Sequence, residues 1–212
     1  MSDVTEEQLE ATAEAEEPAG DGLSEEEREQ RARALSEVVQ YGDPVLRSEA
    51  SPVTEFGPDL AREAERMVSI MHGAMGVGLA ATQLGVLRRM LVFQAGPDAV
   101  STALVNPVIE WLSDDLETAE EGCLSLPGIG LDVERPVHAR VAGVDVNGEP
   151  MLLEASGLEA RVLQHEIDHL DGVLILDRSP RAQRKAAMRA LREGTTYHPE
   201  HESEPETESG DE

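Results

Sequence analysis

The stretch QHEIDHLDG, residues 164–172, places His165 and His169 four positions apart with Glu166 between them. Residues i and i+4 lie on the same face of an α-helix, so both imidazoles can bind one metal ion. Glu166 lies on the same side of that helix, within reach of a water molecule on the ion. The pattern therefore predicts a helix that carries two metal ligands and a general base. The alternative is a helix with one buried, hydrogen-bonded histidine and two solvated polar side chains.

The flanking residues predict where this helix begins and ends. Ser156 followed three residues later by Glu159 matches a capping box, which is typical of a helix start. Gly172 predicts the end of the helix, and residues 173–176 read as a short buried strand. Apolar residues share the face of the two histidines at helical spacing, namely Leu158 and Val162. The helix is therefore expected to lie in the core, where a low dielectric strengthens charge interactions.

A catalytic metal needs a third protein ligand, which zinc proteases take from a residue downstream of the helix. The histidines downstream of His169 are His198 and His201, which lie in an acidic tail. Cys123 is the single cysteine of the chain and lies in the glycine- and proline-containing segment EGCLSLPG, residues 121–128. Cys123 is the better candidate for the third ligand, although a lone cysteine is more often a small buried apolar residue.

Three segments together resemble the signature sequences of the peptide deformylase family. They are GVGLAATQ at residues 76–83, EGCLS at 121–125 and HEIDHLDG at 165–172, and they occur in the order and at the spacing of that family. The segment YGDPVLR at residues 41–47 is similar to the family's opening segment. The resemblance covers roughly residues 38–192, and its specificity comes from the three segments in sequence rather than from any one of them.

The resemblance implies that Cys123, His165 and His169 bind one divalent ion and leave its fourth position to water. It also implies that Glu166 is the general base, which accepts the proton of that water and returns it to the leaving amine. The native metal of the family is ferrous iron, and two nitrogens with one thiolate suit Fe, Co, Ni and Zn better than Mg or Ca. We therefore expect one divalent ion, Fe²⁺ first, with Zn²⁺, Ni²⁺ or Co²⁺ as alternatives.

On the substrate side, the resemblance implies hydrolysis of the formyl group of N-formylmethionyl peptides, with release of formate. The Gln83 side-chain amide and the Leu124 backbone N–H are expected to stabilise the tetrahedral oxyanion. Gly78 is expected to let an extended peptide substrate approach the backbone closely. Arg135 is expected to help bind the substrate backbone, with an ordinary surface arginine as the alternative.

The remaining sequence favours an α+β fold, with antiparallel β-sheets around a central HExxH metal-binding helix and a C-terminal helix. Apolar residues at helical spacing predict another helix across residues 60–75, with Pro58 in its first turn. Ser24 and Glu27 form a second possible capping box, so residues 24–40 are expected to be partly helical. Four strands are predicted, with a hairpin turn between the last two, at residues 90–94, 103–106, 139–146 and 151–154.

The net charge of −27 is concentrated at the two ends of the chain. Residues 1–31 hold 12 acidic and 2 basic side chains, and residues 200–212 hold 7 acidic side chains and no basic one. Such acidic, weakly hydrophobic segments bury too little apolar surface to fold. We therefore expect one catalytic domain, residues 32–196, between disordered acidic extensions at residues 1–31 and 197–212.

Composition also limits the compartment and the partners. No stretch approaches about 18 uninterrupted apolar residues and the N-terminus lacks a signal-peptide pattern, so no membrane contact is expected. A thiolate ligand fits a reducing compartment, and we expect a cytoplasmic monomer that does not bind DNA. A basic cluster on the predicted C-terminal helix is either a solvated face or a contact to the ribosome, as in some deformylases. The cluster comprises Arg178, Arg181, Arg184, Lys185, Arg189 and Arg192.

Other functions stay open at the level of sequence. A zinc peptidase of the HExxH class would use the same helix, but it would take its third ligand downstream and cleave internal peptide bonds. A non-catalytic deformylase-like protein would only bind formylated or N-terminal peptides, and the intact Glu166, Gln83 and ligand set weigh against it. A structural metal site would be closed by four protein ligands and would not need Glu166.

Overall fold

The computed structural model describes residues 22–96 and 98–200. Its helices are α1 (Glu25–Ser36), α2 (Pro58–Gly73), α3 (Leu158–Leu170), α4 (Ile175–Arg178) and α5 (Arg181–Glu193). Its strands are β1 (Gly78–Ala80), β2 (Met90–Phe93), β3 (Thr102–Leu112), β4 (Leu116–Gly122), β5 (Gly130–Pro136), β6 (His138–Val144) and β7 (Pro150–Ser156). Within these residues, no helix combines the length and the apolar character needed to span a membrane.

Five of the strands form one antiparallel sheet in the order β1-β2-β3-β6-β7, and β4 and β5 form a separate antiparallel pair. β1 is an edge strand that pairs on one side with β2, with Leu79 opposite Val92. β6 and β7 form the predicted hairpin around Asn147 and Gly148. The helices and antiparallel strands confirm the predicted α+β class.

Helix α3 packs against strands of both sheets, which places the HExxH residues between them. Its apolar face belongs to a core cluster that also contains residues of β1, β2, β3, β6 and β7. The members from α3 are Ala160, Val162, Leu163, Ile167 and Leu170. Burial of these side chains contributes on the order of 1.5–3 kcal/mol for each large aliphatic group, which fixes the rotation of α3 about its axis.

The predicted start of α3 is wrong in its detail. Ser156 is the last residue of β7, and its hydroxyl forms a hydrogen bond of 2.9 Å with Nδ1 of His138 on the neighbouring strand. The helix follows Gly157, which adopts φ 56 and makes no side-chain cap. The Ser156 hydroxyl is therefore bonded to His138 on the neighbouring strand and does not cap the helix.

The predicted strand at residues 173–176 is also wrong, because the chain turns there into the short helix α4. The Asp177 carboxylate accepts the backbone N–H of Leu174 at 2.9 Å, and this cap satisfies a donor that a strand would have paired. Leu174, Ile175 and Leu176 are buried, so the prediction of burial is right and only the local backbone form differs. Apolar character alone does not separate a short strand from one helical turn.

Strands β4 and β5 are absent from the prediction. β4 is acidic and mostly exposed, so it carries no apolar alternation. In β5, buried and more exposed residues do alternate, since Leu131, Val133 and Arg135 are buried on one face. Because the third buried residue is an arginine, the sequence does not show an alternation of apolar residues. The predicted helix at 60–75 is confirmed as α2.

Near the ends of the described residues, part of each expected extension has regular structure, and the predicted capping box is present. α1 begins at Glu25 with the Ser24–Glu27 capping box, so residues 25–31 of the expected acidic extension are helical. Tyr197 pairs with the chain beside Ile129 through an isolated bridge, within the expected C-terminal tail. The rest of both expected extensions, residues 1–21 and 201–212, lies outside the described residues.

Candidate metal centre

Three side chains from two parts of the fold converge into a possible metal site. His165 and His169 lie on successive turns of α3, and Cys123 follows the end of β4. Their ligand atoms all lie within 4.8 Å of one another, and Cys123 Sγ is 3.2 Å from His169 Nε2. The two imidazole centroids are 5.0 Å apart with an interplanar angle of 67°. The convergence of one thiol and two imidazoles matches the predicted ligand set.

A buried carboxylate fixes the orientation of His165. Nδ1 of His165 donates to Oε2 of Glu121 at 2.9 Å, which leaves Nε2 as the atom that can bind an ion. Burial raises the pKa of Glu121, but hydrogen bonds from His165 and Arg135 outweigh burial and lower that pKa to about 2. Glu121 is therefore ionised and polarises the ring that it holds.

The proposed base, Glu166, lies on α3 with its carboxyl group pressed against β1. A Cβ built on Gly78 would come within 2.3 Å of Glu166 Oε1, so this close approach requires glycine at position 78. Oε2 of Glu166 is buried and has no hydrogen-bond partner among the described residues. Burial raises the pKa of Glu166 to about 7, although the nearby His165 charge opposes the effect. A carboxyl group in this state can both take and return a proton.

Gln83 and Leu124 offer N–H donors beside the same centre. The Gln83 carbonyl accepts the backbone N–H of Ala80 at 2.9 Å, which turns its amide nitrogen toward Cys123 Sγ at 3.7 Å and Ser125 Oγ at 3.4 Å. The backbone N–H of Leu124 has no acceptor among the residues that the structure describes. Both groups therefore have an N–H donor close to Cys123, and their role as oxyanion donors stays a prediction.

These residues open onto a cleft of about 520 Å³, a volume suited to a peptide segment. The cleft is lined by Gly78 at the start of β1, by residues 120–124 and 126–129 around Cys123, and by residues of α3. Its lining includes Arg31, Gly78, Gln83, Leu124, Glu166 and His198.

Comparison with known families gives the assignment: a model of the polypeptide deformylase family matches residues 35–185, more than half of the chain. The chain belongs to the peptide deformylase family. It is 47% identical over 160 residues to the peptide deformylase of Acidothermus cellulolyticus, covering 76% of this chain and 87% of the relative.

Solved deformylase structures have the same fold. The peptide deformylase of Synechococcus elongatus in complex with actinonin superposes with a TM-score of 0.70 at 40% identity, covering 75% of this chain and 88% of the other. The Thermus thermophilus enzyme gives a TM-score of 0.70 at 43% identity, over 74% and 93% of the two chains.

Arg135 has neither of the two positions considered for it, because it is not a surface arginine and it does not line the cleft. Its side chain is buried, with the residue 4% exposed, and its Nε and Nη2 donate to Glu121 at 2.6 and 3.0 Å. Its Nη1 donates to Asp168 of α3 at 2.9 Å. All of these donors face protein carboxylates, so Arg135 holds the deformylase centre together instead of contacting the peptide.

The carboxylates Glu121 and Asp168 form a network that sequence reasoning missed. Arg161 also donates to Glu121 at 2.8 Å, and Arg178 donates to Asp168 at 2.6 Å. The signal available in the sequence was Glu121 itself, two residues before Cys123 in the deformylase segment, and Asp168 inside the HExxH turn. A carboxylate that close to two ligand segments is a typical outer partner of a metal-bound histidine.

The donor set fits a divalent transition metal. One thiol with two imidazoles suits Fe, Co, Ni or Zn, and Nδ1 of His169 is buried without a hydrogen-bond partner among the described residues. Burial and the neighbouring His165 charge lower the pKa of His169, so that its ring is neutral, as ligation requires. Burial lowers the pKa of His165, but Cys123 and Glu121 outweigh burial and raise it, so loading the site must release a proton.

Proposed function

We propose that the chain is a metal-dependent deformylase that hydrolyses the formamide of N-formylmethionyl peptides. The observation that carries this proposal is the convergence of Cys123, His165 and His169, beside a cleft that Cys123, His165, Glu166 and Gln83 line, in a member of the deformylase family. Two of the three ligand residues, Cys123 and His165, line the cleft, which supports an ion that substrate and water can reach, as a hydrolytic centre requires.

Cys123, His165 and His169 would hold the ion, which when bound supplies the Lewis acidity that makes water nucleophilic near neutral pH. Glu166 accepts the proton of the attacking water as the C–O bond to the formyl carbon forms. The amide of Gln83 and the N–H of Leu124 donate to the carbonyl oxygen as it becomes negative. Each such donor is worth about 3 kcal/mol of the barrier.

Collapse of the tetrahedral intermediate breaks the C–N bond. Glu166 then gives its proton to the departing nitrogen, so that formate and a peptide with a free amino group are the products. The role of Arg135 and Glu121 is to hold His165 in one orientation through these steps.

We propose that the substrate lies as an extended strand along β1. β1 is an edge strand, and Gly78 lines the cleft, so main-chain hydrogen bonding can continue from the sheet to a peptide. This arrangement supports recognition of the peptide backbone.

Ferrous iron is the metal that we propose, with zinc, nickel and cobalt as functional substitutes. The thiolate of Cys123 makes an iron-loaded centre sensitive to oxygen, because the sulfur can be oxidised when it loses its ion. The same thiolate favours a reducing compartment, so we propose a cytoplasmic enzyme. We also propose that the enzyme is a monomer.

We also propose that α5 contacts ribosomal RNA. The face of α5 that packs against the protein contains the buried residues Ala187 and Ala190. Five basic side chains on the rest of the helix are exposed. They are Arg181, Arg184, Lys185, Arg189 and Arg192. Contact with phosphates predicts co-sedimentation with ribosomes that weakens steeply with salt, and binding that is absent or independent of salt would remove this proposal.

The test of the main proposal is formate release from formyl-Met-Ala-Ser by protein prepared without oxygen. Wild type should release formate, and Glu166→Ala should be slower by about 10²–10⁴-fold, since the proton acceptor is lost. Equal rates for the two proteins would refute the role of Glu166. Cleavage of internal peptide bonds with no formate release would favour a peptidase, and tight peptide binding without turnover would favour a non-catalytic binding protein.

A further inference from the structure

Arg31 brings a side chain from the N-terminal helix α1 to the wall of the cleft. Leu35, one turn later on the same helix face, lines the cleft as well. Between them, Ala34 is buried against α2, where a Cβ on Gly73 would lie only 3.0 Å from the Ala34 Cβ. This tight contact between the helices fixes α1, and with it the position of Arg31.

The charge of Arg31 has no partner in the described part of the chain. Its Nε is buried without a hydrogen bond, and its guanidinium group makes no salt bridge to any described residue. The other basic side chains at the cleft that carboxylates contact include Arg161, which donates to Glu121 at 2.8 Å, and His198, which lies 2.5 Å from Glu120. Arg31 therefore combines a place in the cleft lining with a buried donor that no described residue satisfies.

We propose that Arg31 binds a carboxylate of the substrate peptide beyond its formylmethionine, an inference that rests on the proposed deformylase function. A guanidinium group offers planar paired donors that match a carboxylate, and a partly desolvated one gains most from such a partner. α1 supplies none of the metal ligands, the base or the oxyanion donors. The proposal therefore assigns Arg31 to a part of the peptide beyond the formyl end, which the metal centre would hold.

Two parts of a peptide can supply this carboxylate. One is an aspartate or glutamate side chain close to the N-terminus of a long nascent chain. The other is the C-terminal carboxylate of a short formylated peptide. Both present the same chemistry to Arg31, so substrate sets that differ in a single group are needed to tell them apart.

Arg33 provides a matched control on the same helix. It is two residues from Arg31, so it projects about 200° away around the helix axis, and it is exposed to solvent outside the cleft. Arg31→Gln and Arg33→Gln change the net charge equally. A difference in substrate preference between the two variants is therefore caused by where the charge was removed, because both variants lose the same charge.

The experiment measures kcat/KM for formate release from peptide pairs. The pairs are formyl-Met-Glu-Ser-amide with its Gln counterpart, formyl-Met-Ala-Glu-amide with its Gln counterpart, and formyl-Met-Ala-Ser as free acid and as amide. Wild type should favour the acidic member of at least one pair by about tenfold, mainly through KM. In Arg31→Gln that ratio should fall to about one, Arg31→Lys should keep part of it, and Arg33→Gln should keep all of it.

Two results would overturn the inference. One is a wild-type enzyme with no preference in any of the three pairs, and the other is an Arg31→Gln ratio equal to that of wild type. If wild type releases no formate at all, the proposed function fails instead, and calorimetric Kd values for the same peptides decide the role of Arg31. If the ratio of the Kd values for the acidic and neutral peptides is the same in Arg31→Gln as in wild type, Arg31 does not bind the carboxylate.

Discussion

At the scale of single residues, the contact between Gly78 and Glu166 leaves no room for a side chain. A methyl group at position 78 would come within 2.3 Å of Glu166 Oε1, so Gly78→Ala must displace the carboxyl group of the proposed general base. We expect kcat for formate release to fall by about 100-fold, comparable to the loss of a general base, while the protein stays folded. Formate assays with thermal unfolding of the same samples measure both effects.

Gly122 provides the control for this substitution. It also lies at the cleft, but a Cβ there would meet nothing closer than the Ile129 carbonyl oxygen at 4.0 Å. Gly122→Ala should therefore cost far less activity than Gly78→Ala. Equal losses in the two variants would show that alanine harms the cleft in general and that the Glu166 contact is not the cause.

Glu121 holds the His165 imidazole from the side opposite the nitrogen that is free to bind an ion. Its carboxylate accepts the Nδ1–H of His165, and Glu121→Gln replaces that charged acceptor by a neutral one of the same shape. We expect the affinity for the metal to fall by about 10–100-fold, as is typical when the outer partner of a histidine ligand is changed. Competition with a chelator, read out by metal analysis, measures the change.

A matched control for Glu121→Gln is Glu117→Gln. Glu117 is an exposed carboxylate of the same strand β4, and its carboxylate approaches Arg161 only to 3.7 Å. Its removal should leave metal affinity at the wild-type value. If Glu121→Gln also binds metal as tightly as wild type, His165 does not depend on this carboxylate for its orientation.

At the scale of secondary-structure elements, Arg135 joins β5 to both β4 and α3. It pairs with Glu121 of β4 and Asp168 of α3, and all three side chains are buried. Arg135→Ala leaves two buried carboxylates with fewer partners, which costs about 3–5 kcal/mol of unfolding free energy. Denaturant unfolding should detect this loss directly.

The exposed ion pair between Arg140 and Glu154 on the β6–β7 hairpin is the comparison for Arg135. Its atoms are 2.9 Å apart, but the two side chains are 45% and 70% exposed. Arg140→Ala should change the unfolding free energy by less than about 1 kcal/mol, because solvent screens the pair. A loss from Arg135→Ala as small as that from Arg140→Ala would mean that the buried network adds little to stability.

The sequence predicted those elements in which one periodicity is continuous. The helical spacing of 60–75 and the turn at Asn147-Gly148 each have a single local cause, and both are present in the structure. β5 escaped prediction because its third buried position is Arg135, whose partners are 14 and 33 residues away. Partners that distant along the chain leave no local pattern, so neither the strand nor the role of its arginine could be predicted.

The same reason explains how much of the site was predictable. His165, Glu166 and His169 share one helix, so their relation follows from helix geometry alone. Cys123 lies more than 40 positions away, so it was a candidate only as the single cysteine of the chain until the family resemblance joined it to the two histidines. Arg31 belongs to α1, which was predicted as a helix, yet nothing in the sequence indicates that this helix reaches the cleft.

At the scale of the whole molecule, both ends of the described chain meet at the cleft. α1 contributes Arg31 and Leu35 from one side, and the segment after α5 contributes His198 from the other. Segments that begin and end the fold therefore shape the same substrate-binding region. Changes at either end should alter peptide binding before they alter the metal centre.

The C-terminal segment gives the sharpest test of this arrangement. The backbone N–H of Gly130 donates to the Tyr197 carbonyl at 2.7 Å, and the backbone N–H of Tyr197 donates to the Gly128 carbonyl at 2.9 Å. These two bonds hold the segment after Cys123, which forms one wall of the cleft. A chain that ends at Gly194 loses both bonds, and we expect KM to rise about tenfold as the wall loosens, with metal content unchanged. A chain that ends at Glu200 keeps both bonds and should keep its KM. Equal KM values for the two truncated chains, or loss of metal from the shorter one, would contradict a role confined to the peptide-binding wall.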